Sequence, residues 1–219
     1  MGTGGDFARS VGLSGAASKA STLSTRRIDI GRARFRVASG GEGTRLFANI
    51  SSFGCSGLIV DKVNRSTKAL GGRASFLLGT VKGMVAYRNQ RVRLRIDDDF
   101  EEDVLINTVA VANGRYFGGA MKVAPNACLN DGRFEVVIIG DIGLSTFLRY
   151  SRKLYDGKHL SLPGIRCLSG SRIRATPLGN RPVLMDVDGE QPGELPVAYD
   201  ILPAALQVQA PWSQAEAMG

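Results

Sequence analysis

The chain has 219 residues, 43% of them hydrophobic, which is enough for one large domain or two small ones with a real core. Its longest apolar stretches, Val104 to Val111 and Val136 to Ile139, are too short to cross a bilayer, and neither lies at the N-terminus behind basic residues as a signal peptide would. Three widely spaced cysteines (Cys55, Cys128, Cys167) and a single histidine (His159) argue against a disulfide framework, a multi-imidazole zinc centre and a Ser-His-Asp relay, and favour a reducing cytoplasm.

In chain order, Met1 to Arg9 is glycine-rich and leads into a short helix through Phe7, Ala8, Val11 and Leu13, followed by a polar connection from Ser14 to Ser24. Strands are expected at Ile28 to Val37, Arg45 to Ser51 and Arg91 to Ile96. Apolar residues recur at helical spacing from Phe76 to Met84 and from Leu144 to Leu154, one core-facing stripe each. Further strands are expected at Val104 to Ala112, Arg133 to Ile139, Ile165 to Ala175, Val183 to Val187, Val197 to Ile201 and Leu206 to Val208. Turns such as Asn130-Asp131-Gly132 and Asp188-Gly189 favour antiparallel hairpins over parallel βαβ units. The fold class is mainly β (α+β), a two-layer antiparallel sandwich with a few helices.

The formal charge of +8 comes partly from arginines at alternate positions, Arg32, Arg34 and Arg36, then Arg91, Arg93 and Arg95, each trio on one strand face. A solvated sheet face explains each trio; a positive surface for anionic phospholipid or phosphate is the functional alternative. The acidic run from Asp97 to Asp103 reads as a solvated loop tip, since dense like charge repels and needs water. No helix-turn-helix, zinc finger or RNA-stacking motif accompanies the basic charge, so nucleic acid is not an expected partner.

Three segments have the residue types for chemistry. Gly2-Thr3-Gly4-Gly5-Asp6-Phe7-Ala8-Arg9 is a glycine turn before a helix, where free backbone amides can hold phosphate. Asn113 to Gly132 contains Gly118-Gly119, Pro125-Asn126-Ala127 and Asn130-Asp131-Gly132. Asp188-Gly189-Glu190 is by default a hairpin turn, but two carboxylates at that spacing can also take a proton from a hydroxyl and bind metal or orient the base.

In order and wording these segments resemble the diacylglycerol kinase, sphingosine kinase and bacterial lipid kinase family. Gly2 to Arg9 is similar to its Gly-Thr-x-Asn-Asp-Phe-Ala-Arg element. Gly118 to Gly132 is similar to its glycine-rich strand, Pro-x-Ala and Asp-Gly turn, and Asp188-Gly189-Glu190 with Ile201 to Leu206 to its Asp-Gly-Glu and Leu-Pro-x-x-Leu ending. The resemblance covers nearly the whole chain. It implies transfer of the γ-phosphoryl group of ATP to a lipid hydroxyl with Mg2+ balancing phosphate charge. Asp188 and Glu190 would be the candidate bases. Gly2, Thr3, Gly4 and Asp6 would lie on the nucleotide side, and Asp131 with the backbone carbonyls of Cys128 and Arg133 would hold a structural magnesium. The expected location is cytoplasmic, from the cysteine usage, with peripheral contact at the inner membrane surface through the arginine strands.

Two departures stand out. Gly5 occupies the place of the family's asparagine, and the Gly-Gly-Asp-Gly-Thr loop that wraps the ATP phosphates is not in these 219 residues. Residues 1–22 are therefore expected to be a remnant of the nucleotide-binding α/β domain and residues 23–219 the sandwich domain. The chain alone is expected to be inactive, with Phe7, Val11 and Leu13 lacking their usual cover, so that this piece is mobile or docks non-natively. A non-catalytic lipid or membrane-surface module and a nucleotide kinase of the NAD kinase type are the alternative readings.

Overall fold

The structure, a computed structural model, describes residues 4–13, 23–65, 83 and 87–212. Two antiparallel sheets pack face to face. The first has the order β2-β1-β11-β9-β4-β5 and the second β10-β3-β6-β7-β8. Their strands are β1 (Ser24–Arg36), β2 (Glu42–Phe47), β3 (Ile50–Gly54), β4 (Gln90–Ile96), β5 (Phe100–Ile106), β6 (Thr108–Ala112), β7 (Phe134–Ile139), β8 (Ile165–Gly170), β9 (Arg172–Pro177), β10 (Met185–Val187) and β11 (Glu194–Ala210). Among the described residues three α-helices of more than one residue accompany them: α1 (Gly4–Ser10), α2 (Cys55–Arg65) and α3 (Leu144–Asp156).

Period-2 alternation builds the core between the layers. Val92, Leu94 and Ile96 of β4 and Val197 and Tyr199 of β11 face Phe53, Val109, Val111, Phe134 and Val136 of the second sheet. The other face of the second sheet is also apolar, because Ile50, Ala110, Ala112, Val137 and Ile139 pack under Val123, Ala124 and Ala127. A sheet buried on both faces is why β6 and β7 are buried at every position and largely apolar rather than alternating, Thr108 and Glu135 being the polar exceptions.

Three expected single strands are pairs. Arg45 to Ser51 divides into β2 and β3, Val104 to Ala112 into β5 and β6, and Ile165 to Ala175 into β8 and β9, each pair passing from one sheet to the other. At Asn107 the backbone N–H leaves the β5 ladder and donates to Ile139 O at 2.9 Å, which turns the chain between layers. The reverse happens at the C-terminus, where two expected strands form one β11 with a bulge. Ile28 pairs with Leu206 and Ile30 with Leu202, leaving Asp29 opposite Pro203, Ala204 and Ala205. The acidic loop tip is only half loop: Glu101, Glu102 and Asp103 lie on β5, where Arg95 and Arg93 stand opposite Glu101 and Asp103 and offset their repulsion. The turn reading of Asn130-Asp131-Gly132 holds, although it is not a tight hairpin: it ends the long connection from β6 to its antiparallel neighbour β7. The expected helix at Leu144 to Leu154 is α3, whereas the one from Phe76 to Met84 lies outside the described residues apart from Gly83.

The arginine trios stand on the outer face of the first sheet, mostly in ion pairs. Arg32 and Arg34 share Asp200, Arg36 meets Glu194, Arg93 meets Asp103 and Arg95 meets Asp98. Among the described residues no helix is long and apolar enough to cross a membrane.

Candidate functional site

Residues from four distant segments converge at one end of the second sheet. The Asp188-Gly189 pair closes a two-residue hairpin, with Val187 N donating to Glu190 O at 2.8 Å and Glu190 N to Val187 O at 3.0 Å. Asp188 (φ 46°) and Gly189 (φ 86°) both lie in the left-handed region, as a type I′ turn requires. The Asp188 carboxylate is fixed by three backbone donors, Ala48 N at 3.0 Å, Asn49 N at 3.3 Å and Ile50 N at 2.9 Å. Burial pushes its pKa up and these N–H groups pull against that rise. Glu190, the next residue after the turn, is exposed.

Asn49 joins this turn to α1. Its side chain donates to Tyr116 O at 2.9 Å and accepts the Ser10 hydroxyl at 3.4 Å, and its carbonyl receives Asn113 N and Gly114 N. Asp6, buried in α1, accepts Gly119 N at 2.9 Å and Ala120 N at 2.8 Å. Gly118, Gly119 and Ala120 all have positive φ, which turns successive N–H groups toward one carboxylate. Contrary to the expectation of missing cover, α1 therefore docks on the sandwich. Val11 is 1% exposed against Ile28, Leu129 and Ala210 with Phe7 beside it, and only Leu13 stays out at 46%. Of the nucleotide-side residues, Gly4 and Asp6 belong to α1, while Gly2 and Thr3 lie outside the described residues. A Cβ at Gly5 would meet nothing within 4 Å, so the family's asparagine has room there.

The third group centres on Asp29. Its Oδ1 accepts Ala204 N and its Oδ2 accepts Gly132 N, both at 2.7 Å, so one carboxylate ties the β11 bulge to the turn that carries Asp131. Asp131 accepts Arg133 N at 3.0 Å, and its pKa is raised by burial and by repulsion from Asp29. The donor set expected for magnesium is Asp131 with the Cys128 and Arg133 carbonyls. It is all oxygen and sits beside a second carboxylate, which fits a hard cation. Cys128 Sγ points elsewhere, to Asn130 Oδ1 at 3.2 Å. No group of three or more His, Cys, Asp or Glu side chains gathers among the described residues, so backbone oxygens would have to complete any cation site.

Sequence reasoning missed Asp186, Ser52, Asn113 and Asp29. Asp186 is fully buried on the outer face of the second sheet, accepts Ser52 Oγ at 2.9 Å and Gly189 N at 2.7 Å, and is pushed up to about 7 by desolvation. Asn113, also fully buried, donates to both Asp29 O at 2.9 Å and Ala48 O at 2.8 Å and so links the second and third groups. An Asp at a strand position two before an Asp-Gly turn was the available signal for Asp186; nothing in the sequence pairs Asn113 with Asp29.

Beside this network lies a cavity of about 460 Å3, walled by α2, α3 and the outer face of the second sheet. Its lining is mostly apolar, including Ile59, Ala110, Phe117, Met121, Ile139 and Leu154. Asp186 pairs with Ser52 and Ser52 with Ala110 across β10, β3 and β6, so the buried carboxyl and the cavity wall are two strand spacings apart, about 10 Å. The 117–121 loop completes the link, with Phe117 and Met121 in the cavity wall and Gly119 and Ala120 bonded to Asp6.

The sequence and the sandwich fold match known proteins. Residues 49–210 match the family model described as the YegS C-terminal NAD kinase beta sandwich-like domain. The chain is 26% identical over 226 residues to the diacylglycerol kinase of Bacillus subtilis (strain 168), covering 99% of this chain and 69% of that protein. It is also 26% identical over 215 residues to the diacylglycerol kinase of Mycobacterium tuberculosis (strain ATCC 25618 / H37Rv), covering 96% and 67%. With the "Probable lipid kinase YegS" of Escherichia coli O1:K1 / APEC it shares 25% identity over 222 residues, covering 96% and 67%. The crystal structure of a diacylglycerol kinase from Bacillus anthracis str. Sterne superposes with a TM-score of 0.61 at 18% identity, covering 98% of this chain and 65% of that one. The chain belongs to the diacylglycerol kinase and YegS lipid kinase family through its C-terminal β-sandwich domain, and it spans about two thirds of the length of these relatives.

Proposed function

We propose that this chain is the substrate-side part of an ATP-dependent lipid kinase that moves the γ-phosphoryl group of ATP to the hydroxyl of a diacylglycerol-like lipid. The supporting observation is the apolar cavity of about 460 Å3 on the same sheet face as the Asp186 to Glu190 hairpin. Its volume falls in the range of small-molecule sites, roughly 300–1,000 Å3, and its wall suits acyl chain rather than sugar or base. Phosphoryl transfer of this kind depends on positioning and electrostatics, so the protein has to hold a hydroxyl, exclude water and accept one proton.

Within that reading the two carboxylates of the turn divide the work. Asp188, held by three N–H groups, fixes the turn, and exposed Glu190 accepts the proton of the lipid hydroxyl. Residues 1–22, with Gly2, Thr3, Gly4 and Asp6, belong to the nucleotide side, and Asp6 couples it to the cavity through the 117–121 loop. Mg2+ at Asp131 and the Cys128 and Arg133 carbonyls would supply positive charge between Asp131 and Asp29 and stiffen the β7 entrance. A cytoplasmic location goes with the same reading.

The test is ATP-dependent phosphorylation of a panel of hydroxylated lipids by a form of the protein that carries the Gly-Gly-Asp-Gly-Thr segment, with Glu190→Gln alongside. Transfer to a lipid that Glu190→Gln abolishes is the expected result. Lipid binding without transfer would favour a non-catalytic lipid module, and transfer to a nucleotide alone would favour a nucleotide kinase.

A further inference from the structure

We propose that the outward face of α3 is a membrane-docking surface for an anionic bilayer, which brings the cavity opening to the level of the lipid headgroups. Helical spacing puts Leu148, Arg149, Arg152 and Tyr155 on one side of α3, and all four are exposed, Leu148 at 50% and Tyr155 at 51%. The opposite side carries Phe147, Tyr150 and Leu154, which line the cavity. One helix thus serves as a cavity wall on its inside and an apolar and basic strip on its outside. That pairing of exposed Leu and Tyr with Arg is the composition of helices that lie in a membrane interface. Arg149 and Ser145 both line the cavity and stand exposed, so the cavity reaches the surface along the N-terminal half of this helix.

Charge complementarity selects the occupant. Arg149, Arg152 and, just past the helix, Lys158 form no ion pair with any described carboxylate, and Asp156 is the one acid on that side. On the larger arginine face of the first sheet most cations are neutralised in place, since Arg32, Arg34, Arg36, Arg93, Arg95 and Arg172 are each matched by a carboxylate and, among the described residues, only Arg91 and Arg174 of its exposed central arginines are not. That face also lies across both sheets from the cavity, so a bilayer seated there could not feed lipid to it. Unmatched cations beside exposed apolar side chains attract anionic headgroups, each contributing within a Debye length of the surface. The inference rests on the lipid-kinase reading only for what enters the cavity.

Vesicle sedimentation without ATP tests it, using phosphatidylcholine vesicles with and without phosphatidylglycerol. The protein should partition to the mixed vesicles and lose binding steeply with salt. Arg149→Glu with Arg152→Glu should lower partition about tenfold or more. Leu148→Ser with Tyr155→Ser should lower it severalfold even in high salt, whereas Arg91→Glu with Arg174→Glu on the first sheet should change it by no more than about twofold. If a charge reversal unfolds the protein, Arg149→Gln with Arg152→Gln takes its place and should still lower partition severalfold. Equal recovery with both vesicle types, loss of binding through the first-sheet variants alone, or a solution dimer that the α3 variants dissolve would each overturn the proposal. Because no phosphoryl transfer is read, failure here leaves the kinase reading standing, and absence of kinase activity leaves docking standing.

Discussion

The Asp188 carboxylate accepts the Ile50 N–H at 2.9 Å, and with Ala48 N and Asn49 N it receives three backbone donors from the β2–β3 corner. An Asn there would present an NH2 group to donors that need an acceptor. Asp188→Asn should therefore destabilise the fold by about 2–3 kcal/mol, the range for a charged hydrogen-bonded group. Glu190→Gln, exposed and outside that network, should stay within about 0.5 kcal/mol of the parent. Urea unfolding of the two variants separates them; equal stability would mean that the three N–H groups do not depend on the charge. Activity loss in Asp188→Asn would then be read against its stability, while loss in Glu190→Gln reports on proton transfer alone.

Asp29 invites a similar argument from a different place. Its carboxylate holds Ala204 N and Gly132 N at 2.7 Å and is 2% exposed, so Asp29→Ala removes two charge-assisted hydrogen bonds at once, one to exposed Ala204 and one to half-buried Gly132. The expected cost is on the order of 3 kcal/mol. Hydrogen exchange should show Ala204 and Gly132 losing protection together, since one side chain serves both. Independent changes at the two amides would refute the coupling.

How much of this was legible in the sequence follows from the range of each interaction. The β4 trio Arg91, Arg93 and Arg95 and the α3 stripe are local periodicities, and both were readable as elements with a defined face. The splits at Asn107 and at Ser171 were not, because the chain leaves one sheet for the other across only a short polar interruption, Asn107-Thr108 and Ser169-Gly170-Ser171, with no long loop to mark the change. Helix α2 follows β3 directly at Cys55 with no acidic residue in its first turn, so it carried no start signal. In the site, the motif wording pointed to Asp6, Asp131 and Asp188, but the partners that fix them, Gly119, Asp29 and the Ala48 to Ile50 backbone, lie tens of residues away or more. Only the fold brings them together.

Asp186 provides a pH test of the buried end of the hairpin. Desolvation pushes its folded-state pKa from the ordinary 3.8 to about 7, partly offset by Ser52 and Gly189 and reinforced by Asp188. Between those two values the folded protein keeps a proton that the unfolded chain has released, so unfolding free energy falls as pH rises through this window. Asp186→Asn mimics the protonated form, because its Oδ1 can accept Gly189 N and its NH2 can donate to Ser52 Oγ. The variant should match the parent near pH 4 and exceed it by a few kcal/mol, roughly, near pH 8. Denaturant unfolding of both proteins across that range reads the difference directly, with the other titrating groups common to both. A constant difference at all pH values would mean that Asp186 titrates alike in the folded and unfolded chains, and the burial argument for this carboxyl would fail.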